Sequence, residues 1–111
     1  MANIDFSQIF DQLKTNVFAL AQNTVNDYVD QARTDGLNLL NESQEKLEKW
    51  TLQLANQEID TGDFEWLVLS QKDVVAMDAL KQAGLAEIKI QQFRDGVLKI
   101  IVDTVSGLIK I

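Results

Sequence analysis

Proline, cysteine and histidine are absent from this 111-residue sequence, and glycine occurs only five times. Without proline, no helix has to stop for want of a backbone N–H. Without cysteine there is no disulfide, no thiolate nucleophile and no Cys-ligated zinc or iron–sulfur centre, a composition that suits a reducing compartment. Without histidine, the commonest general base and the commonest transition-metal ligand are missing. Basic residues are also scarce: ten Lys and Arg stand against seventeen Asp and Glu, a net charge of −7. Such a chain lacks the basic stripe that displaces counterions from nucleic acid, and it is poorly suited to electrostatic docking on an anionic membrane. Long apolar runs are lacking too. Runs such as Trp66 to Leu69 reach about four residues, far short of the roughly 20 that span a bilayer. The start, Met1-Ala2-Asn3-Ile4-Asp5, has neither the basic nor the apolar region of a secretory signal. The expectation is a cytoplasmic protein with no nucleic-acid partner and no transmembrane segment.

What is present is helical periodicity. Some 46% of the residues are apolar, normal for a globular chain, and the length suits a single domain, residues 1–111. From Asp5, a plausible N-cap, the apolar positions Phe6, Ile9, Phe10, Leu13, Val17, Leu20, Thr24 and Tyr28 step by three and four, as one helix face does. A second stripe then takes over: Val25, Val29, Ala32, Gly36, Leu39, Ser43, Leu47, Trp50 and Leu54. It is displaced by roughly 90° from the first at about 100° per residue. Glu42/Lys46 and Glu45/Lys49 add i,i+4 support of about 0.2–0.5 kcal/mol each. The spacing predicts one long helix over about 5–59. Gly36 leaves an alternative open, because Gly36, Leu37 and Asn38 also read as a Schellman stop followed by a new N-cap. Continuity is favoured by the unbroken phase of the second stripe and by the narrow seam of Ala32, Gly36 and Ser43.

Gly62 reads as the residue that ends this helix, with Thr61 or Asp63 capping a second one over about 63–83. Its main face would be Trp66, Leu67, Ser70, Val74, Met77 and Leu80, with Phe64, Val68 and Val75 as a lesser patch. Gly84 and Leu85 form a C-terminal signal. A third helix over about 86–110 carries Ile90, Phe93, Val97, Ile100, Ile101, Val105, Leu108 and Ile111. Leu98, Val102 and Ile109 widen that stripe to half the circumference, so the helix needs two neighbours. The fold expected is an all-α antiparallel helical bundle with a long N-terminal helix: three helices, or four if the first breaks at Gly36.

Conventional chemistry finds little footing. Asp60, Asp63 and Glu65 cluster at a turn, but without the ligand spacing of an EF-hand they read as caps and first-turn charges. The Glu-x-x-His pairs of di-metal bundles are impossible without histidine. Lys72, Lys81 and Lys89 show no sign of desolvation, and Ser70 has no partner base. Arg94 reads as a cross-helix partner for Glu58 or Glu65, or as a solvated side chain. Trp50 and Trp66 read as core residues or interface anchors. No catalytic residue, cofactor site or metal site is assigned.

Length then shapes the functional expectation. A continuous first helix of about 55 residues would span about 80 Å, and the later helices only about 30–37 Å. The uncovered part would expose an apolar patch that a monomer rarely tolerates. The expectation is a non-catalytic structural or protein–protein interaction module that self-associates, or pairs with another helical protein, in coiled-coil or bundle fashion. The residues assigned to the interface are Phe6, Ile9, Phe10, Leu13, Val17, Phe18, Leu20, Val25 and Tyr28. On that reading, removing residues 1–30 lowers the oligomer order. The alternative is an amphipathic coat protein on a lipid or polymer-granule surface, although its first helix has few of the Lys and Arg that interfacial helices carry.

Overall fold

The computed structural model describes residues 5–73 and 76–109. Val74, Val75 and Ile111, assigned to helix faces from the sequence, and position 110, the expected end of the third helix, lie outside that range. All regular structure among the described residues is helical: α1 (Phe6–Thr24), a 3₁₀ turn (Asn26–Tyr28), α2 (Val29–Ala55), α3 (Thr61–Leu69), a second 3₁₀ turn (Ser70–Asp73), α4 (Asp78–Gln82) and α5 (Glu87–Leu108). The all-α class follows from the periodicity. The single long rod does not.

The first helix breaks at Val25, eleven residues before Gly36, and α2 runs through Gly36 without interruption. Val25 leaves the helix at φ −137°, ψ 52°, and its C=O accepts from the Tyr28 N–H at 2.8 Å. Two local causes converge there. Asn23, Thr24, Asn26 and Asp27 all have side chains that compete for backbone hydrogen bonds and weaken helix. The apolar stripe also changes direction there. In a straight helix the two stripes would face different ways. With a reversal between them, both face the same interior.

The outcome is a helical hairpin closed by α5. Asn16 of α1 donates to the Thr104 hydroxyl of α5 at 3.0 Å. Leu20 of α1 lies against Gly96 of α5, so α1 and α5 run antiparallel. Gly36 sits where α1, α2 and α5 meet: a Cβ there would come within 2.5 Å of Val17 Cγ1 and 3.7 Å of the Phe93 ring. The narrow seam read from Ala32, Gly36 and Ser43 is therefore real, and all three are buried. Leu13, Val17, Ala21, Leu40, Leu54, Phe64, Val68, Leu80, Val97, Ile101 and Val105 are wholly buried in one continuous core. The molecule measures 46 × 24 × 19 Å. Its long axis is close to the ~40 Å expected of the 27-residue α2.

Helix ends follow local chemistry. Asp5 caps α1, accepting from the Ser7 N–H at 3.1 Å and the Ser7 hydroxyl at 2.6 Å. The Ser7 hydroxyl bond is the main reason that the Asp5 carboxyl is held below its ordinary pKa. α2 ends in a Schellman motif, with Glu58 N–H donating to Gln53 O at 2.8 Å and Gln57 N–H to Leu54 O at 3.1 Å. Gln57, at φ 62°, takes the left-handed position that had been assigned to Gly62. Gly62 instead lies in the first turn of α3. That helix is capped by Asp60, not by Asp63 or Thr61, in a reciprocal box: Asp63 N–H donates to Asp60 Oδ1 at 2.7 Å, and Asp60 N–H donates to Asp63 Oδ2 at 3.2 Å. Gly84, at φ 91°, ends α4 as anticipated, with Leu85 N–H donating to Leu80 O at 3.2 Å.

The second helix is the other departure. The segment expected to be helical over 63–83 is split into α3 and α4. What holds α4 in place is Asp35, a carboxylate only 2% exposed on the inner face of α2. It accepts from the Ala79 N–H at 3.0 Å and the Leu80 N–H at 2.8 Å, capping α4 from another helix. Because α4 is thus tied to the middle of α2, the chain runs back along α2 after Ala55, and α3 is antiparallel to both α2 and α5.

Candidate functional site

The nine residues assigned to an association interface are packed within the chain itself. Phe6, Ile9, Phe10, Leu13, Val17 and Val25 belong to the core. Leu20 and Tyr28 are half-buried against it, and Phe18 is half-buried beneath the Arg33 guanidinium, 4.6 Å from its ring centroid. The apolar excess that motivated an N-terminal interface is an effect of assuming a straight rod. Folding back at Val25 covers α1 with α2 and α5.

Exposed apolar surface occurs elsewhere. Trp66, placed on the main core face of its helix by sequence, is 70% exposed. The patch treated as secondary, Phe64 and Val68, is the one that faces the core, and both residues are wholly buried. Over nine residues rich in apolar side chains, two faces of α3 look equally able to be buried. Only the position of α5 decides between them. Leu69, one turn from Trp66, is 37% exposed. Trp50, by contrast, is half-buried against the core.

Beside Trp66 lies a groove between α5 and the α3 segment with its 3₁₀ extension, with a cavity volume of about 330 Å³. Its apolar lining is Leu69, Leu98 and Val102; Glu65 and Lys72 flank it on one side, and Asp95 and Lys99 on the other. Each wall thus carries one acid and one base, so the groove is neutral on a molecule of net charge −7. In the sequence, Leu98 and Val102 belong to the widening of the last apolar stripe that called for a second neighbour of that helix.

The polar constellations have local partners. Asp60 and Asp63 serve as reciprocal caps, and no group of three acidic side chains converges as a cation site among the described residues. Arg94 does not reach Glu58 or Glu65. Its guanidinium donates to its neighbour Asp95 at 3.0 and 3.1 Å. The Ser70 hydroxyl donates to Leu67 O at 2.7 Å, as a helix-end serine does. Thr51 Oγ1 is buried on α2 without a hydrogen-bond partner. No helix among the described residues is long and apolar enough to cross a membrane.

Comparison with known proteins adds no name to this geometry: no protein-family model, no curated protein and no solved structure matches the chain.

Proposed function

We propose that this protein is a non-catalytic helical interaction module that self-associates. The observation that carries the reading is Trp66, exposed on the outer face of α3 beside an apolar groove. Tryptophan is costly to leave in water and is enriched at the centres of protein interfaces, where its large rigid surface is desolvated on binding. The reading keeps the association expected from sequence and moves it from α1, whose apolar face is already covered, to α3 and α5.

The coat-protein alternative draws on the long amphipathic stripes. In this fold those stripes are enclosed, so spreading on a lipid surface requires the bundle to open. Sedimentation equilibrium across a concentration series from about 1 μM to about 1 mM, a range bracketing transient complexes, tests the proposal. The expected result is a mass that rises from monomer towards dimer. A mass that stays monomeric throughout rejects self-association. Flotation of the folded chain with neutral liposomes at the same concentrations favours the coat reading instead.

A further inference from the structure

We infer that the self-association surface is the Trp66 ridge together with the groove beside it, and that its occupant is a second copy of this chain, docked about a two-fold axis passing near Leu69. The inference rests on the self-association proposed above and supplies its geometry.

Charge argues for a second copy. The chain as a whole is strongly acidic, so two copies repel unless they meet where that charge is absent. The groove is such a place, with two acids balanced by two bases. A neutral, mixed-sign rim gives no preference for a strongly basic or a strongly acidic partner. It does fit itself. On the α3 side Glu65 precedes Lys72 by two turns, and Leu69 lies between them. A two-fold contact is isologous: whatever residue i meets on the partner, that residue's counterpart meets i in return. Antiparallel packing of two α3 segments therefore sets Glu65 opposite the partner's Lys72, and Lys72 opposite the partner's Glu65. Both contacts are attractive.

Shape argues the same way. Trp66 and Leu69 are the exposed large apolar side chains of α3, and the antiparallel contact lays both against the partner's α3. In that contact water is excluded from the indole face and from Leu69, whereas Leu98 and Val102 are already buried within the chain. That desolvation is the driving force, and the charged pairs set orientation.

Sedimentation equilibrium on the full chain and four variants tests the inference, with circular dichroism confirming that each variant keeps its helices. Trp66→Ala is expected to weaken the dimer on the order of thirtyfold, the loss typical of an interface hot spot. Glu65→Lys places lysine at both ends of the contact, and Lys72→Glu places glutamate at both. Each single variant is expected to dimerise about tenfold more weakly than the parent chain, as close like-charge pairs dictate. The double variant Glu65→Lys/Lys72→Glu restores opposite signs and is expected to recover the parent affinity. An equimolar mixture of the two single variants is expected to form heterodimers with about the parent affinity, tighter than either variant's homodimer. If the parent chain dimerises and Trp66→Ala and the charge variants dimerise equally well, this surface is wrong while self-association stands. If the singles weaken and neither the mixture nor the double variant recovers, the two-fold pairing is wrong. If the parent chain is monomeric throughout, both the surface and the proposed function fall.

Discussion

Two glycines show how one residue type can carry opposite consequences. Gly36 is buried at the crossing of α1, α2 and α5, where an added methyl would overlap Val17 Cγ1 at 2.5 Å. Alanine would gain about 1 kcal/mol of helix propensity there, but overpacking a tight crossing costs about 1–3 kcal/mol. Gly36→Ala is expected to lower the stability by up to about 2 kcal/mol, read as a drop in the urea midpoint. Gly107 is exposed near the end of α5, and a Cβ there meets nothing within 4 Å. Gly107→Ala is expected to raise stability by about 0.5 kcal/mol in the same assay, the gain being reduced by fraying at the helix end. The phase of the second stripe was enough to show that Gly36 lies on a buried helical face. The 2.5 Å approach was not legible, because it depends on which residue of α1 happens to cross there.

At the scale of elements, α4 depends on a residue more than forty positions away in the chain. This five-residue helix is too short to persist through its own hydrogen bonds, since the first turn is the costly one to form. Asp35 offsets that cost by accepting two of the backbone N–H groups at its N-terminus. Asp35→Ala leaves those donors without their acceptor, one of them buried, and is expected to cost about 2–3 kcal/mol. Asp35→Asn keeps one acceptor oxygen and is expected to cost roughly half as much. Amide exchange should show the first loss at Ala79 and Leu80, before α1, α2 and α5 are affected. An equal loss of protection in every helix would show that α4 does not open as a local unit.

The helix boundaries were unevenly legible for a related reason. Asp5, Gly84 and Leu85 signal their ends through contacts within a few residues, and the structure uses them. The end of α2 had no glycine to mark it, because Gln57 accepts the left-handed conformation that Gly62 was expected to supply. The break at Val25 was signalled twice, by the cluster of Asn23, Thr24, Asn26 and Asp27 and by the change of stripe. The split between α3 and α4 had no comparable local signal, since it follows from Asp35 on another helix.

For the molecule as a whole, the break at Val25 decides the role of α1. A straight rod would leave α1 uncovered and make it an assembly surface. The hairpin makes it a wall of the core, with Leu13, Val17 and Ala21 fully buried. Deleting residues 1–30 therefore bares the inner faces of α2 and α5 together. Losing even one such leucine costs about 2–5 kcal/mol, and a small domain has only about 5–15 kcal/mol in total. The truncated chain is expected to lose its cooperative thermal transition, monitored by circular dichroism, where the earlier expectation was a folded protein of lower oligomer order. A sharp transition in the truncated chain would mean that α2 to α5 form an independent core.

By itself, the sequence determined that this protein is built from helices and where most of its greasy positions lie. Those properties come from interactions between residues a turn apart, and a turn is short enough to read along the chain. Only the tertiary structure decided which apolar faces are covered. Phe64 and Val68 turn inward, Trp66 turns outward and Asp35 finds a distant helix end, because coverage depends on which helix arrives opposite a face. That in turn is set by one reversal at Val25, whose consequences reach every later packing contact.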